Sequence, residues 1–207
     1  GPQVFAGCTA LTLRVAEGNE DYCCVDNVLF SKDMSHLVFC SNQKVGSYTV
    51  PDSVTVIENS AFYYCTGLHS ITIPDSVTEI GDDAFNQCGL REMTLPAGLT
   101  RIGENLFWSN FDLTRVTIPE GVVSIGSYAF TNCDRLSNLR LPGGLEACAA
   151  LCVGSAGVSN PQARALLEQM LRRCGYRGAL LLTGDQETAL AGALGAPCGM
   201  VLIAGTG

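Results

Sequence analysis

The chain has 207 residues, of which 47% are hydrophobic and 15% are charged, and this balance excludes a disordered protein. Its 12 basic and 20 acidic side chains give a net charge of −8, which argues against a surface that neutralises nucleic-acid phosphates. No apolar run reaches the roughly 18 residues that a membrane-spanning helix needs, so no membrane span is expected.

The first predicted element is a β-hairpin insert over residues 20–42. Four large apolar residues alternate along two segments that flank Lys32-Asp33. They are Val28, Phe30, Leu37 and Phe39. Alternation with a period of two is typical of half-buried strands, and the polar pair between the segments is typical of a turn.

A repeat of 22 or 23 residues follows the insert. Prolines stand at positions 51, 74, 96, 119 and 142, and the same apolar positions follow each of the first four. The position eleven residues after the proline is Phe62, Phe85, Phe107 and Phe130. A unit of this length cannot bury its apolar residues alone, so the repeats are expected to stack into a solenoid. Each repeat is predicted to contain a short strand that ends before the proline and a short helical turn around pairs such as Ala61-Phe62.

Four of the eleven cysteines occupy one position of this repeat. They are Cys8, Cys65, Cys88 and Cys133, and Asn110 stands there in the remaining repeat. No histidine accompanies them at ligand spacing, so we expect buried thiols that pack as small apolar groups, in preference to a metal site or disulfides. Free thiols in this number favour a reducing environment.

The segments IPDSVTEIGDDAFNQC and IPEGVVSIGSYAFTNC are the most characteristic parts of the repeat. Through them, residues 4–145 resemble the BspA-like leucine-rich repeat family. The resemblance implies a leucine-rich-repeat solenoid of one β-strand and one short helical turn per repeat. It also implies a bacterial protein, located in the cytoplasm or at the cell surface, that serves as a protein-interaction scaffold.

Beyond residue 145 the period ends and a different pattern begins. Apolar stretches predict strands near residues 151–153, 179–182 and 200–204, and the residues between them, from 161 and from 187, have the periodicity of helices. The order β-α-β-α-β predicts a partial α/β segment with a parallel sheet. The segments GSAGVSNPQAR, GDQETALAGALG and GMVLIAGTG resemble the BadF/BadG/BcrA/BcrD ATPase family, which includes N-acetylglucosamine kinase-like proteins of the actin-like fold.

That resemblance implies a truncated ATPase segment over residues 146–207. In the family, the acidic residue corresponding to Asp185 lies at the substrate site, and the turn of Gly205, Thr206 and Gly207 binds nucleotide phosphate. The family's opening Asp-Gly-Gly-Gly-Thr phosphate loop is absent from the sequence. We therefore expect no complete active site, no metal and no cofactor, with ATP and Mg²⁺ binding only where a longer protein completes the segment.

The predicted interaction surface consists of repeat positions outside the core. On the strands they are His69, Ser70, Thr72, Arg91, Glu92, Thr94, Arg115, Thr117, Asn138 and Arg140, and beside the phenylalanine position they are Tyr63 and Trp108. The alternative for each residue is a solvated position without a ligand. A protein or glycan is the expected partner, and the C-terminal segment could also join two copies of the chain. The alternative function is a fragment of a BadF/BadG-type ATPase or N-acetylglucosamine kinase-like phosphotransferase.

Overall fold

The computed structural model describes residues 11–122, 124–126, 128–140, 150–154, 179–183 and 199–203. Within these ranges the chain forms fifteen β-strands and no helix. In chain order the strands are β1 (Tyr22–Val25), β2 (Val28–Ser31), β3 (His36–Cys40), β4 (Gly46–Thr49), β5 (Val56–Ile57), β6 (Leu68–Thr72), β7 (Glu79–Ile80), β8 (Glu92–Thr94), β9 (Arg101–Ile102), β10 (Arg115–Thr117), β11 (Ser124–Ile125), β12 (Asn138–Arg140), β13 (Ala150–Gly154), β14 (Ala179–Thr183) and β15 (Gly199–Ile203).

The hairpin insert contains three antiparallel strands. β2 and β3 pair around the turn at residues 32–33, with an irregularity between Leu29 and Phe30. β1 pairs with β2 through a two-residue turn at Asp26 and Asn27, whose φ angles are 51° and 60°. Two left-handed residues in succession give the turn that best matches the twist of a hairpin. β3 then pairs in parallel with β5, and this pairing joins the insert to the first regular coil.

The repeats form coils that each begin at a proline: coil 1 at Pro51, coil 2 at Pro74, coil 3 at Pro96 and coil 4 at Pro119. In every coil the third residue after the proline donates its backbone N–H to the proline carbonyl, which closes a turn. Parallel strands then line two sides of the solenoid. We call the side formed by β4, β6, β8, β10 and β12 the strand face. β5, β7, β9 and β11 form the opposite side.

The helical turn predicted around Ala61-Phe62 is not formed. The backbone runs instead through hydrogen-bonded turns, such as Cys65 N–H to the Phe62 carbonyl at 3.2 Å. Ser60 and Tyr64 have φ angles of 58° and 62°, and two residues with positive φ within five positions cannot belong to an α-helix. The peptides of these turns donate to the next coil, as in Phe62 N–H to the Ala84 carbonyl at 2.8 Å. We call this third side of the coils the turn face.

Phenylalanine forms a continuous column in the interior of the four coils. The rings of Phe62 and Phe85 stack with centroids 5.3 Å apart, and the next two pairs are 5.9 and 5.5 Å apart. Phe62, Phe85 and Phe107 are fully buried. Each ring therefore packs on its equivalent in the neighbouring coil, which is the nearest-neighbour arrangement that stabilises repeat proteins.

Glycine is required where the coils approach most closely. A Cβ atom added to Gly81 would lie 2.5 Å from the backbone nitrogen of Asn59 in the preceding coil. Gly126 occupies the same repeat position and would bring a Cβ within 2.7 Å of the backbone nitrogen of Glu104. In coil 1 this position is Glu58, whose carboxylate contacts Nδ1 of His36 on β3 at 2.7 Å. The spacing between the hairpin insert and coil 1 therefore admits a side chain that the later coils exclude.

Three parallel strands represent the C-terminal part of the chain. β13 lies between β14 and β15, and β15 also pairs with β11 of the repeat. The helices predicted from residues 161 and 187 lie outside the described residues. The boundary between residues 145 and 146 and the α/β character of the segment stay predictions.

Candidate interaction surface

The strand face presents polar side chains at alternate residues. Glu92 and Thr94 of β8 are exposed, whereas Met93 between them is buried. In register with them on β10 are Arg115 and Thr117, followed on β12 by Asn138 and Arg140. The predicted strand residues are thus brought together in two columns. The other members of the predicted set, His69, Ser70, Thr72 and Arg91, are also exposed.

The three threonines of the predicted surface, Thr72, Thr94 and Thr117, are only partly in register. Thr94 and Thr117 are register partners, whereas β6 and β8 are joined by a hydrogen bond from Arg91 N–H to the His69 carbonyl at 3.2 Å. His69 also approaches the Gly89 carbonyl with Nδ1 at 3.2 Å. The Thr114 hydroxyl donates to the Arg91 carbonyl at 2.9 Å. These bonds fix the backbone beneath the exposed side chains.

The strand face begins one coil earlier than the sequence prediction placed it. Ser47 pairs with Ser70, and Thr49 pairs with Thr72, both at exposed positions of β4. The signal was available, because Ser-Tyr-Thr-Val-Pro before Pro51 has the same pattern as Ser-Ile-Thr-Ile-Pro before Pro74. The strand was not predicted because Tyr48 replaces the aliphatic residue of this pattern.

The basic side chains of the coils differ in their ionic partners. Arg101 Nη2 contacts Asp82 Oδ1 at 2.8 Å, and Arg135 Nη1 contacts Asp112 Oδ1 at 2.7 Å. Arg91 and Arg115, in contrast, make no ion pair within the described part of the chain. Both are exposed: Arg115 lies on β10 of the strand face, and Arg91 directly precedes β8. A guanidinium group without an ionic partner has five N–H donors available for solvent or for a ligand.

Tyr63 and Trp108 lie on the turn face and not with the strand residues. Tyr63 is half-buried, and its hydroxyl accepts a hydrogen bond from Gln87 Nε2 at 3.3 Å. The side chain of Trp108 is 40% exposed. Tyr64, whose ring centroid is 6.3 Å from that of Tyr63, is 39% exposed, and Phe111 is 55% exposed. The turn face therefore carries large aromatic groups, whereas the described strand face is polar.

The repeated cysteine position is structural. The Cys88 thiol donates to the Phe62 carbonyl at 3.0 Å, and the Cys133 thiol donates to the Phe107 carbonyl at 3.1 Å. Asn110 makes the same bond through Nδ2 to the Phe85 carbonyl, at 2.7 Å. A donor at this position satisfies a buried carbonyl of the preceding coil, and this explains why cysteine and asparagine replace each other. Cys8 lies outside the described residues.

These thiols are also poor nucleophiles and metal ligands. A hydrogen bond with the Cys40 thiol and then burial raise the pKa of the Cys65 thiol, and burial raises the pKa of Cys88. Burial raises the pKa of Cys133 to about 12. Because the thiolate is the reactive and metal-binding form, these groups are inert near neutral pH. Within the described residues no three His, Cys, Asp or Glu side chains are grouped as a metal site would require.

Asp185, Gly205, Thr206 and Gly207 lie outside the described residues, so their predicted roles stay predictions. Among the described residues, no helix is long and apolar enough to cross a membrane.

Comparison with known proteins finds a family that matches the repeat region. A family model described as the BspA type Leucine rich repeat region matches six copies over residues 32–152. The solved structure of the pneumococcal vaccine antigen PcpA is 30% identical with a TM-score of 0.57, covering 60% of this chain and 31% of that one. A leucine rich cell surface protein from Faecalibacterium prausnitzii A2-165 is also 30% identical, with a TM-score of 0.52, covering 66% of this chain and 43% of that one.

A second similarity is short. An N-acetylmuramic acid/N-acetylglucosamine kinase from Clostridium acetobutylicum is 40% identical over 63 residues, which are 30% of this chain. The chain spans 21% of the length of that kinase and less than half the length of each of the two leucine-rich repeat proteins. The repeat therefore accounts for more of the chain than the kinase similarity does.

Proposed function

The chain belongs to the BspA-type leucine-rich repeat family, and from this premise we propose that it is a binding scaffold whose ligand lies on the strand face. The guanidinium groups of Arg91 and Arg115, which have no ionic partner among the described residues, carry this proposal. Arg115 and Thr117 of β10 are in register with Glu92 and Thr94 of the parallel strand β8, and Arg91 directly precedes β8. Solenoids offer extended surfaces of this kind for recognition.

The chemistry of the strand face favours a protein that presents carboxylates. Hydrogen bonds from arginine to a carboxylate are bidentate and stronger than those between neutral groups. Glu92 stands in register with Arg115, so the face is not uniformly basic and would select the spacing of the partner's charges. A glycan that carries carboxylate groups is the other ligand class with this chemistry.

We place the protein at the cell surface in this proposal. The Faecalibacterium relative is described as a cell surface protein. The thiols of Cys65 and Cys88 do not oppose this location, because they are buried and their raised pKa values keep them unreactive. The bacterial cytoplasm and a reducing environment stay the alternative.

Site-specific photocrosslinking tests the strand-face proposal. A photoreactive amino acid replaces Thr94 on the strand face in one variant and Thr78 on a different side of coil 2 in the matched control; both positions are exposed. In the producing cells, the Thr94 variant should give a discrete crosslinked protein that Arg91→Ala and Arg115→Ala reduce. Equal crosslinking at both positions, or none at Thr94, would refute the proposal.

The C-terminal segment supports a second candidate function. The similarity to the Clostridium kinase favours a parent protein in which residues 146–207 are part of an ATPase or N-acetylglucosamine kinase-like phosphotransferase that carries a repeat domain. In that case Asp185 would act at the substrate site, and Gly205, Thr206 and Gly207 would bind phosphate with Mg²⁺. Saturable binding of ATP would favour this function. A homodimer through the same segment is a further proposal, tested by the molecular mass in solution.

A further inference from the structure

A row of six side chains runs along the turn face from coil 1 to coil 4. It consists of Tyr63 and Tyr64, Gln87, Trp108 and Ser109, and Asn132, and we call it the turn-face row. Hydrogen bonds link its members from coil to coil: Gln87 Nε2 donates to the Tyr63 hydroxyl at 3.3 Å, and Gln87 N–H donates to the Trp108 carbonyl at 2.8 Å. The row is therefore a continuous surface, although its residues are far apart in sequence.

The row alternates aromatic rings with neutral hydrogen-bonding groups. The tyrosine rings belong to coil 1 and the Trp108 ring to coil 3, and the Gln87 amide of coil 2 stands between them. Further along, the Asn132 amide donates to the Ser109 hydroxyl at 3.2 Å. None of the six side chains is charged, in a chain whose net charge is −8. This neutrality separates the row from the strand face, where Arg91, Glu92 and Arg115 lie.

We propose that the turn-face row binds an uncharged polysaccharide of β-1,4-linked pyranose units. The C–H groups of a pyranose ring pack on the electron-rich face of an aromatic ring, and amides and hydroxyls bind its hydroxyl groups. A partner protein with carboxylates would find no cation in the row, whereas a neutral sugar needs none. The proposal rests on the premise that the chain is a binding scaffold, but it uses a different face and a different ligand.

The spacing of the rings fits this ligand. In the adjacent phenylalanine column the ring centroids of successive coils are 5.3 and 5.9 Å apart, so the rings of coil 1 and coil 3 are separated by roughly 10 Å along the solenoid. This is the length of two units of a β-1,4-linked chain. Successive units of such a chain are rotated by half a turn about the chain axis, so every second unit presents the same face of its ring. The tyrosine pair of coil 1, in which Tyr63 has the same repeat position as Trp108, and Trp108 of coil 3 would then stack on two units of like orientation, with Gln87 beside the unit between them.

Trp108 gives a direct measurement, because it is the one tryptophan in the sequence. Its side chain is 40% exposed, so a stacked sugar would shift its emission to shorter wavelength and reduce quenching by acrylamide. The probes are chitohexaose and cellohexaose, titrated into the full chain. We expect saturable changes with at least one of them, and no saturable change with glucose or N-acetylglucosamine alone.

Variants separate the row from the rest of the surface. Tyr64→Ala and Trp108→Ala should weaken binding at least tenfold by calorimetry, whereas Trp108→Phe, which keeps a ring, should weaken it less. Arg115→Ala on the strand face should leave sugar binding unchanged while reducing the crosslinking at Thr94. Failure of both hexasaccharides to bind, or equal binding by the Tyr64→Ala and Trp108→Ala variants, would overturn the proposal. Crosslinking at Thr94 without sugar binding would retain the scaffold and reject the turn-face row alone.

Discussion

Inward-facing and outward-facing positions of the same coils differ in how strictly they repeat. The phenylalanine column recurs in all four coils, and the buried donor recurs as cysteine or asparagine. The outward positions of β8 and β10, in contrast, change from Glu92 to Arg115 at the same register. The residue type at an inward position is restricted because it packs on the same position of the neighbouring coils. An outward residue has no such contact, so its type can vary with the ligand.

Loss of a ring from the interior column should have the largest effect on stability. Phe85→Ala removes a fully buried ring that stacks on Phe62 and Phe107, and we expect the free energy of unfolding to fall by about 3–5 kcal/mol. Phe111→Ala is the matched control, because Phe111 is 55% exposed and its loss should cost less than about 0.5 kcal/mol. Chemical denaturation measures both. Equal effects of the two substitutions would contradict the comparison.

Loss of the buried donor should have an intermediate effect. Asn110→Leu removes the donor to the Phe85 and Phe107 carbonyls, at 2.7 and 2.9 Å, and should destabilise the fold by about 1–3 kcal/mol. Asn110→Cys installs the donor that the other coils use and should cost less. It also removes the buried Asn110 Oδ1, which has no hydrogen-bond partner. A cysteine variant no more stable than the leucine variant would show that the donor is unimportant.

The buried thiols should make the fold sensitive to alkaline pH. Folding raises the pKa of the Cys133 thiol from 9.0 to about 12, and burial also raises that of Cys88. A raised pKa stabilises the folded state below pH 9.0, and this contribution is lost as the pH rises towards 12. The free energy of unfolding should therefore fall between pH 8 and 10 more in the natural chain than in Cys88→Asn. Parallel pH profiles of the two proteins would contradict this.

Substitution on the strand face should have the smallest effect on stability. Arg115→Ala removes an exposed side chain that has no ion pair within the described residues, so the unfolding midpoint should barely change. Arg101→Ala is the control, because it breaks the exposed pair with Asp82 and should cost at most about 1 kcal/mol. A larger loss of unfolding free energy for Arg115→Ala than for Arg101→Ala would show that Arg115 stabilises the fold and is not reserved for binding.

The repeat and its core could be predicted from the sequence because their positions recur. The repeat period alone predicts the proline spacing and the phenylalanine column. A period of two predicts the strands of the hairpin insert. The turns around Ala61-Phe62 could not be predicted in this way, because Ser60 and Tyr64 adopt positive φ without a glycine to mark them. β1 was missed because none of its four residues is buried and its sequence has no apolar alternation.

The candidate surface was predicted less completely than the core. The structure brings the predicted strand residues of β8 and β10 into register, and their role in binding stays a prediction. Thr49 and Ser47 were missed, because Tyr48 replaces the aliphatic residue that marks the strand in other coils. Tyr63 and Trp108 lie on a different face from the strand residues because of the path of the backbone through the turns. No local sequence pattern predicts that path.

Calorimetric titration of the full chain with ATP and Mg²⁺ tests the central claim most directly, namely that this chain binds through its repeat surface and has no complete active site. The scaffold account predicts only the heat of dilution at every ratio of ATP to protein. A saturable binding heat that Asp185→Asn or Thr206→Ala alters would contradict it, because residues 146–207 would then form a working nucleotide site.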